Sequence, residues 1–487
     1  MTLPKLADVV TPLQPHQQRV VDKIQRPDQP GLVVAHGVGS GKTLSAIAAQ
    51  EALGTPGTAV VPAALQANYK KEKLKHLSGP RQPTHVESMQ GVALSGAPTP
   101  APFLVVDEAH RARDPSTKTY KALANNEATK RLLLTGSPFY NHPADLAPLV
   151  NLAAGENVLP SQREDFSRKF VRERSVSPGI LQRLKGVKPG TVAELNPRTK
   201  DALAKQLAKW VDYHPNSSEG FPSTRDETID VPMGKHQLRV YDALMGKAPY
   251  WVAAKVKSGL PPSKQESKEL NAFLSAVRQV SNTTRTFSGQ VEEPKIQRAY
   301  AELTKELEAN PESRAVVYSN FLGSGIDPYK ELLTRGHVPF GEYTGQMPRA
   351  DRDALVRQYN EGALRALLVS SAGGEGLDLK ETRLMQVLDP AWNEERTNQV
   401  IGRGVRFQGH AGLPEEDRNV RIQRFRATRP RKGLLENLHM RDPGMGVDEY
   451  LVQLGKDKTL LNNQFRALLE NQERDELAAQ SMKSRPM

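Results

Sequence analysis

The 487-residue chain contains no cysteine. Disulfides, iron–sulfur clusters and cysteine-based zinc modules are excluded, and a reducing compartment suits such a chain. No apolar stretch approaches the ~20 residues that a bilayer-spanning helix needs. The opening, MTLPKLADVVTPLQPHQQ, lacks a charged region followed by an apolar run, so no secretory leader is expected. Internal repeats and low-complexity segments are also missing. What remains is a chain of ordinary hydrophobic content, 38%, with length for about three domains. Its net charge of +12 favours a polyanionic partner, because basic surfaces release counterions from phosphate backbones. A basic surface without special purpose accounts for the charge equally well.

Short apolar runs punctuate residues 31–150: GLVVA (31–35), TAVV (58–61), FLVVD (103–107) and RLLLT (131–135). Runs of this length, rich in Val and Leu and bounded by turn signals, suit strands buried on both faces of a parallel α/β sheet. A second series follows at RAVVYS (314–319), HVPFGEY (337–343), ALLVSS (366–371) and RLMQVLD (383–389). The expected fold is therefore α/β, with two parallel-sheet lobes in tandem at 1–155 and 292–428. Between them, 156–291 reads as a mainly helical insertion, and 429–487 as a helical C-terminal extension ending in a polar, disorder-like stretch.

Basic residues concentrate at Arg163, Arg168, Lys169, Arg172, Arg174, Arg183, Lys185 and Lys188. They suit either a surface touching nucleic acid or a solvated connector. The run RNVRIQRFRATRPRK (418–432) reads in the same two ways, as extra phosphate contacts or as a solvated edge strand and linker.

Four strings carry chemistry, and each stands just after an apolar run or on a helix of the second lobe. HGVGSGKT (36–43) lies between a strand and a helix-forming segment, the setting that a phosphate loop requires. Gly37, Gly39, Ser40 and Gly41 let backbone N–H groups and the helix N-terminus face phosphate oxygens. Lys42 would neutralise β/γ-phosphate charge, and Thr43 would offer its hydroxyl to Mg²⁺. His36 stands where the strict pattern begins with glycine, a minor departure. In DEAH (107–110), Asp107 would hold Mg²⁺ and Glu108 would orient and deprotonate the attacking water. His110 would face the cleft.

In the second half, the glycine-rich turn SSAGGEGLDL (370–379) suits close approach by a nucleotide or a phosphate backbone, nominating Gly376 and Asp378. Gln399, Arg403 and Arg406 follow at i, i+4 and i+7, a spacing that places all three on one helix face. Such arginines stabilise transition-state charge in phosphoryl transfer. The expected machine is a split ATPase whose halves close around ATP.

Together these strings resemble superfamily 2 helicases, and within them the Swi/Snf-like branch of double-stranded DNA translocases. LQPHQ (13–17) is similar to the adenine-reading segment of that family, which implies a role for Gln17. VVPAALQANYKKE (60–72) is similar to an element that contacts a DNA strand. LLLTGSPFYN (132–141) resembles the branch's LTGTP-x-x-N, implying that Thr135, Gly136 and Ser137, with His110, couple the cleft to the DNA grip. WNEERTNQVIGRGVR (392–406) resembles viral members, such as the poxvirus nucleoside triphosphate phosphohydrolase I. The resemblance implies two RecA-like lobes, ATP and Mg²⁺ as cofactors, and nucleic acid as partner, most readily double-stranded DNA. It also implies a viral or phage origin and hence residence in the host cytoplasm, while the lack of a long apolar run leaves no membrane association expected. A strand-separating DNA or RNA helicase, or an ATP-gated clamp in a transcription or replication complex, are the competing expectations.

Overall fold

The computed structural model describes residues 9–37, 39–78, 81–136, 139, 142–215, 220–263, 265–344, 347–370, 379–390, 395–406, 408–430 and 444–483. They form two compact units. One comprises residues 1–172, 193–217 and 460–487; the other comprises 173–192 and 218–459.

The first unit is built on a six-stranded parallel sheet. In chain order its strands are β1 (Gly31–His36), β2 (Gly57–Val61), β3 (Thr84–Ser88), β4 (Phe103–Val106), β5 (Lys130–Thr135) and, after the short pair β6 (Val171–Val176) and β7 (Gly190–Leu195), β8 (Val211–His214). The spatial order is β3-β2-β4-β5-β1-β8. All residues of β1, β2 and β4 are buried. Alternate residues feed two cores: Leu32 and Val34 pack with Val20, Ile47 and Leu132, while Val33 and Ala35 pack with Leu133, Leu149 and Val150 on the other face. Helices on both faces explain why these strands read as continuous apolar runs rather than alternating ones.

The second unit repeats the plan with β9 (Ser223–Pro232), β10 (Arg314–Ser319), β11 (Phe340–Tyr343), β12 (Ala366–Ser370), β13 (Thr382–Val387) and β14 (Asn419–Thr428). Their order is β11-β12-β10-β13-β14-β9, again parallel throughout. Beside this sheet lies a helical cluster in which Leu238, Tyr241, Val252, Leu274 and Tyr450 are buried.

Three segments differ from the sequence reading. The middle region contributes helices, but also β8 to the first sheet and β9 to the second; VDYH and STRDETIDVP are too polar to stand out as strands. The arginine-rich run at 418–432 is neither an edge strand nor a row of open cations over its described part. As β14 it lies between β13 and β9, and its arginines are held by carboxylates: Arg421–Glu306, Arg424–Asp226, Arg426–Asp230 and Arg429–Asp242, at 2.7 to 3.1 Å. Finally, the polar C-terminal stretch continues one helix, Val447–Lys483. Leu461, Phe465, Leu468 and Leu469 seat that helix in the core of the first unit, against Phe166 and Leu207. No described helix is long and apolar enough to cross a membrane.

Candidate functional site

Open parallel sheets present ligands at the carboxyl ends of their strands. In the first unit the ends of β1, β5 and β4 carry, in that order, the glycine loop, Thr135 and Asp107–Glu108. The register aligns Ala35 with Thr135 and Leu133 with Val106, so the three ends lie side by side.

The loop after β1 turns through left-handed backbone at Gly39 (φ 80°) and Gly41 (φ 74°). A side chain at position 41 would also collide with Gln17, whose Nε2 lies 2.3 Å from the place of a Cβ. Helix Lys42–Leu53 starts directly from Gly41, which directs its N-terminal amides and positive dipole end at the loop. Lys42 Nζ donates to the carbonyls of His36 (3.0 Å) and Gly37 (2.9 Å), while Ser40 Oγ donates to Gly37 O at 2.7 Å. Burial lowers the Lys42 pKa, and the charges of Glu108 and Asp107 oppose that shift. Thr43 is the second residue of the helix, one position beyond Lys42.

Gln17 is buried on helix Pro15–Ile24. Its amide donates to Ser40 O at 3.0 Å, and its Oε1 accepts from Gln14 N–H at 2.9 Å. The residue nominated for reading adenine thus fastens the glycine loop to the first helix.

Asp107 is anchored through its N–H to Val60 O (2.9 Å), and its carboxylate accepts the Glu108 N–H at 2.9 Å. Burial raises the Asp107 pKa, and neighbouring Glu108 adds to the rise. Glu108 occupies left-handed backbone (φ 52°), an uncommon state for a non-glycine residue that is found preferentially at functional positions. Its pKa is lowered, chiefly by a hydrogen bond from His110, against the opposing effect of burial. Two carboxylates side by side are thus pushed apart in acidity, with Glu108 held as the anion. His110 Nδ1 stands 3.2 Å from Glu108 Oε2 and 3.5 Å from Thr135 Oγ1. Gly136 follows Thr135 at the end of β5, and Ser137 lies outside the described residues.

In the second unit Gln399 and Arg403 share a face of helix Glu395–Gly404. Arg406 does not lie on that helix: the chain leaves helical geometry after Gly404, so the i+7 position falls two residues past its end. Gly404 packs so closely on Met385 that a Cβ would stand 2.8 Å from its sulfur. Gly376 and Asp378 lie outside the described residues.

Two family models match the chain: the SNF2-related domain over residues 94–286 and the helicase conserved C-terminal domain over 298–408. The chain belongs to the SNF2-related helicase family. As a member it is a nucleic-acid-dependent ATPase. Its relatives include L538 of Acanthamoeba polyphaga mimivirus, named as an ATP-dependent RNA helicase, at 28% identity over 94% of this chain and 96% of that one. The termination factor NPH-I homolog of African swine fever virus (isolate Tick/Malawi/Lil 20-1/1983) is 24% identical over 90% of this chain and 75% of its own. Among solved structures, the Pyrococcus furiosus Hef helicase domain aligns with a TM-score of 0.50 at 14% identity, covering 90% of this chain and 99% of that one. That likeness is one of fold.

Sequence reasoning missed a set of residues behind the glycine loop of this SNF2-related chain. Asp212 and His214 of β8 meet His36 and His16 there, and Glu473 of the C-terminal helix joins them. No motif contains Asp212, His214 or Glu473. The single hint was His36 itself, a histidine where the strict pattern has glycine.

Proposed function

We propose that this ATPase is a translocase that moves along double-stranded DNA. Lys42 and the loop amides bind the ATP phosphates, Glu108 orients and deprotonates the attacking water, and Gln399, Arg403 and Arg406 stabilise the charge that develops on the phosphates. The observation that carries this reading is the Glu108 arrangement. A carboxylate held ionised by His110, beside a partly buried lysine at a helix N-terminus, is what water activation at a phosphate needs.

The donor set fits Mg²⁺, since Thr43 and Asp107 offer hard oxygen ligands. Among the described residues no group of three or more His, Asp or Glu could hold a metal without help, so the ion would arrive with the nucleotide. There it would neutralise phosphate charge.

Thr135, Gly136 and Ser137 relay the state of Glu108 through His110 to the nucleic-acid grip. The net charge of +12 supports a backbone-gripping mode, with weak sequence preference and steep salt dependence. The TGS form of the β5 turn favours translocation on duplex DNA over strand separation. The viral relatives support a viral or phage origin, with action in the host cytoplasm, and the termination-factor relative supports a partner in a transcription complex. A second reading, unwinding of RNA, draws on the name of the mimivirus relative.

The deciding experiment is steady-state ATP hydrolysis with duplex DNA, single-stranded DNA or RNA, alongside a Glu108→Gln control. Stimulation by duplex DNA, together with triplex displacement without unwinding, is the expected result. Preferential stimulation by RNA or single strands, with duplex separation, would establish the second reading instead.

A further inference from the structure

The phosphate loop is gripped from behind by side chains that phosphate binding does not require. The Gly37 N–H donates to His214 O at 2.8 Å, so β8 continues its pairing with β1 into the loop itself. The His214 ring lies flat on His16, with centroids 4.0 Å apart and planes 2° from parallel. His16 Nε2 donates to Ser40 O at 2.8 Å. On its other side, His214 Nδ1 donates to Glu473 Oε1 at 2.6 Å. A continuous path therefore runs from the C-terminal helix through two imidazoles to a loop carbonyl.

A second path is buried up to its last member, Glu476. Asp212 accepts from Arg19 Nε (2.8 Å) and His36 Nε2 (2.7 Å) and pairs with Lys23 at 2.9 Å. Lys23 and Arg19 in turn reach Glu476 of the same C-terminal helix, at 2.7 and 3.3 Å. His36 is the last residue of β1, directly before the loop.

We propose that Glu473, through His214, and Asp212, through His36, are positioning residues that set the phosphate loop for ATP, making the C-terminal helix part of the nucleotide site. Buried charge clusters rarely repay their desolvation in stability alone, and apolar residues would fill such a space as well or better. Here the first path ends on a loop carbonyl and the second on the strand residue that leads into the loop, so both fix backbone on which phosphate contacts depend. The inference rests on the reading of His36–Thr43 as the ATP site.

Removing the helix would expose Leu461, Phe465 and Leu468, so the test uses point variants of the full chain. Affinity for N-methylanthraniloyl-ATP and the kcat–KM split are measured for Glu473→Ala, Glu473→Gln, His214→Gln and Gln464→Ala. Gln464 also docks the helix, its Oε1 accepting the Leu195 N–H at 2.7 Å, but lies on neither path. Glu473→Ala and His214→Gln are expected to weaken nucleotide binding about fivefold or more, with kcat at saturating ATP within about twofold. Glu473→Gln keeps an acceptor for His214 and should bind like the parent. His214→Gln retains the backbone pairing of β8, so it serves if Glu473→Ala does not fold. Unchanged affinity in both path variants, or equal weakening in Gln464→Ala, would overturn the proposal and leave the helix a purely structural brace. Loss of hydrolysis in Glu108→Gln alongside unchanged path variants would show that this inference fails while the ATP-site reading stands.

Discussion

Glu108 and His110 share a contact of 3.2 Å, and it holds one carboxylate of an adjacent acidic pair in its ionised form. Removing the imidazole withdraws the largest cause of that low pKa and leaves burial acting in the opposite direction. In His110→Ala the acidic limb of the pH–rate profile should therefore move to higher pH, with activity lost first at the acidic end. The check is kcat against pH for parent and variant. An unmoved limb would show that Glu108 is not the group being titrated.

Glu108→Gln should reduce kcat by about 10²–10⁴ while ATP still binds, since the amide keeps the shape but not the base. Single-turnover hydrolysis together with equilibrium binding of N-methylanthraniloyl-ATP separates the two effects.

Gly41→Ala should abolish tight nucleotide binding for two separable reasons: a left-handed backbone, and a clash with Gln17. Pairing it with Gln17→Ala removes the clash and leaves the strain, about 1–2 kcal/mol. The double variant is expected to recover part of the lost affinity, and a double-mutant cycle measures how much.

Burial depresses the His36 pKa to about 4, so the ring is neutral in the folded chain. The unfolded chain, with an ordinary histidine, binds the proton near pH 6.5. Between those values the unfolded state carries more protons, so stability falls as pH drops from 6.5 to 4, by at most on the order of 3 kcal/mol. Its Nδ1 has no partner among the described residues, which leaves an added proton there without an acceptor. Urea unfolding at pH 7 and pH 5 should show a smaller difference for His36→Gln than for the parent.

In the second unit Lys295 and Asp448 are almost fully buried and paired at 2.5 Å, and Asp448 also accepts the Ala427 N–H at 2.8 Å. Asp448→Ala leaves a buried ammonium unmatched and should cost about 3–5 kcal/mol, whereas replacing both partners with apolar residues should recover most of the loss. Urea midpoints of the single and double variants decide it.

How much of this was legible in the sequence depended on distance along the chain. The buried strands of both sheets announced themselves because parallel strands covered on both faces must be apolar throughout. The glycine loop and the acidic pair could be placed at strand ends because each is contiguous with its strand. Asp212, His214 and Glu473 could not be: their partners His36 and His16 lie 176 or more residues away, and nothing local marks a four-residue strand such as VDYH. Arg406 shows a subtler limit. Spacing gives a helix face only while the helix lasts, and this one ends at Gly404, two residues before Arg406.

The pairing of β9 with β14 has a consequence during synthesis. All ten residues of β9 pair with β14, and Arg426 lies 196 residues downstream of the Asp230 it binds. At 5–20 residues per second the nascent chain carries this unpartnered ribbon for on the order of 10–40 s. Its composition suits the delay: Arg225, Asp226, Glu227 and Asp230 make STRDETIDVP a poor template for a neighbouring polypeptide on the same ribosome cluster. The polarity that hid this strand from the sequence reading is what keeps it soluble until its partner emerges.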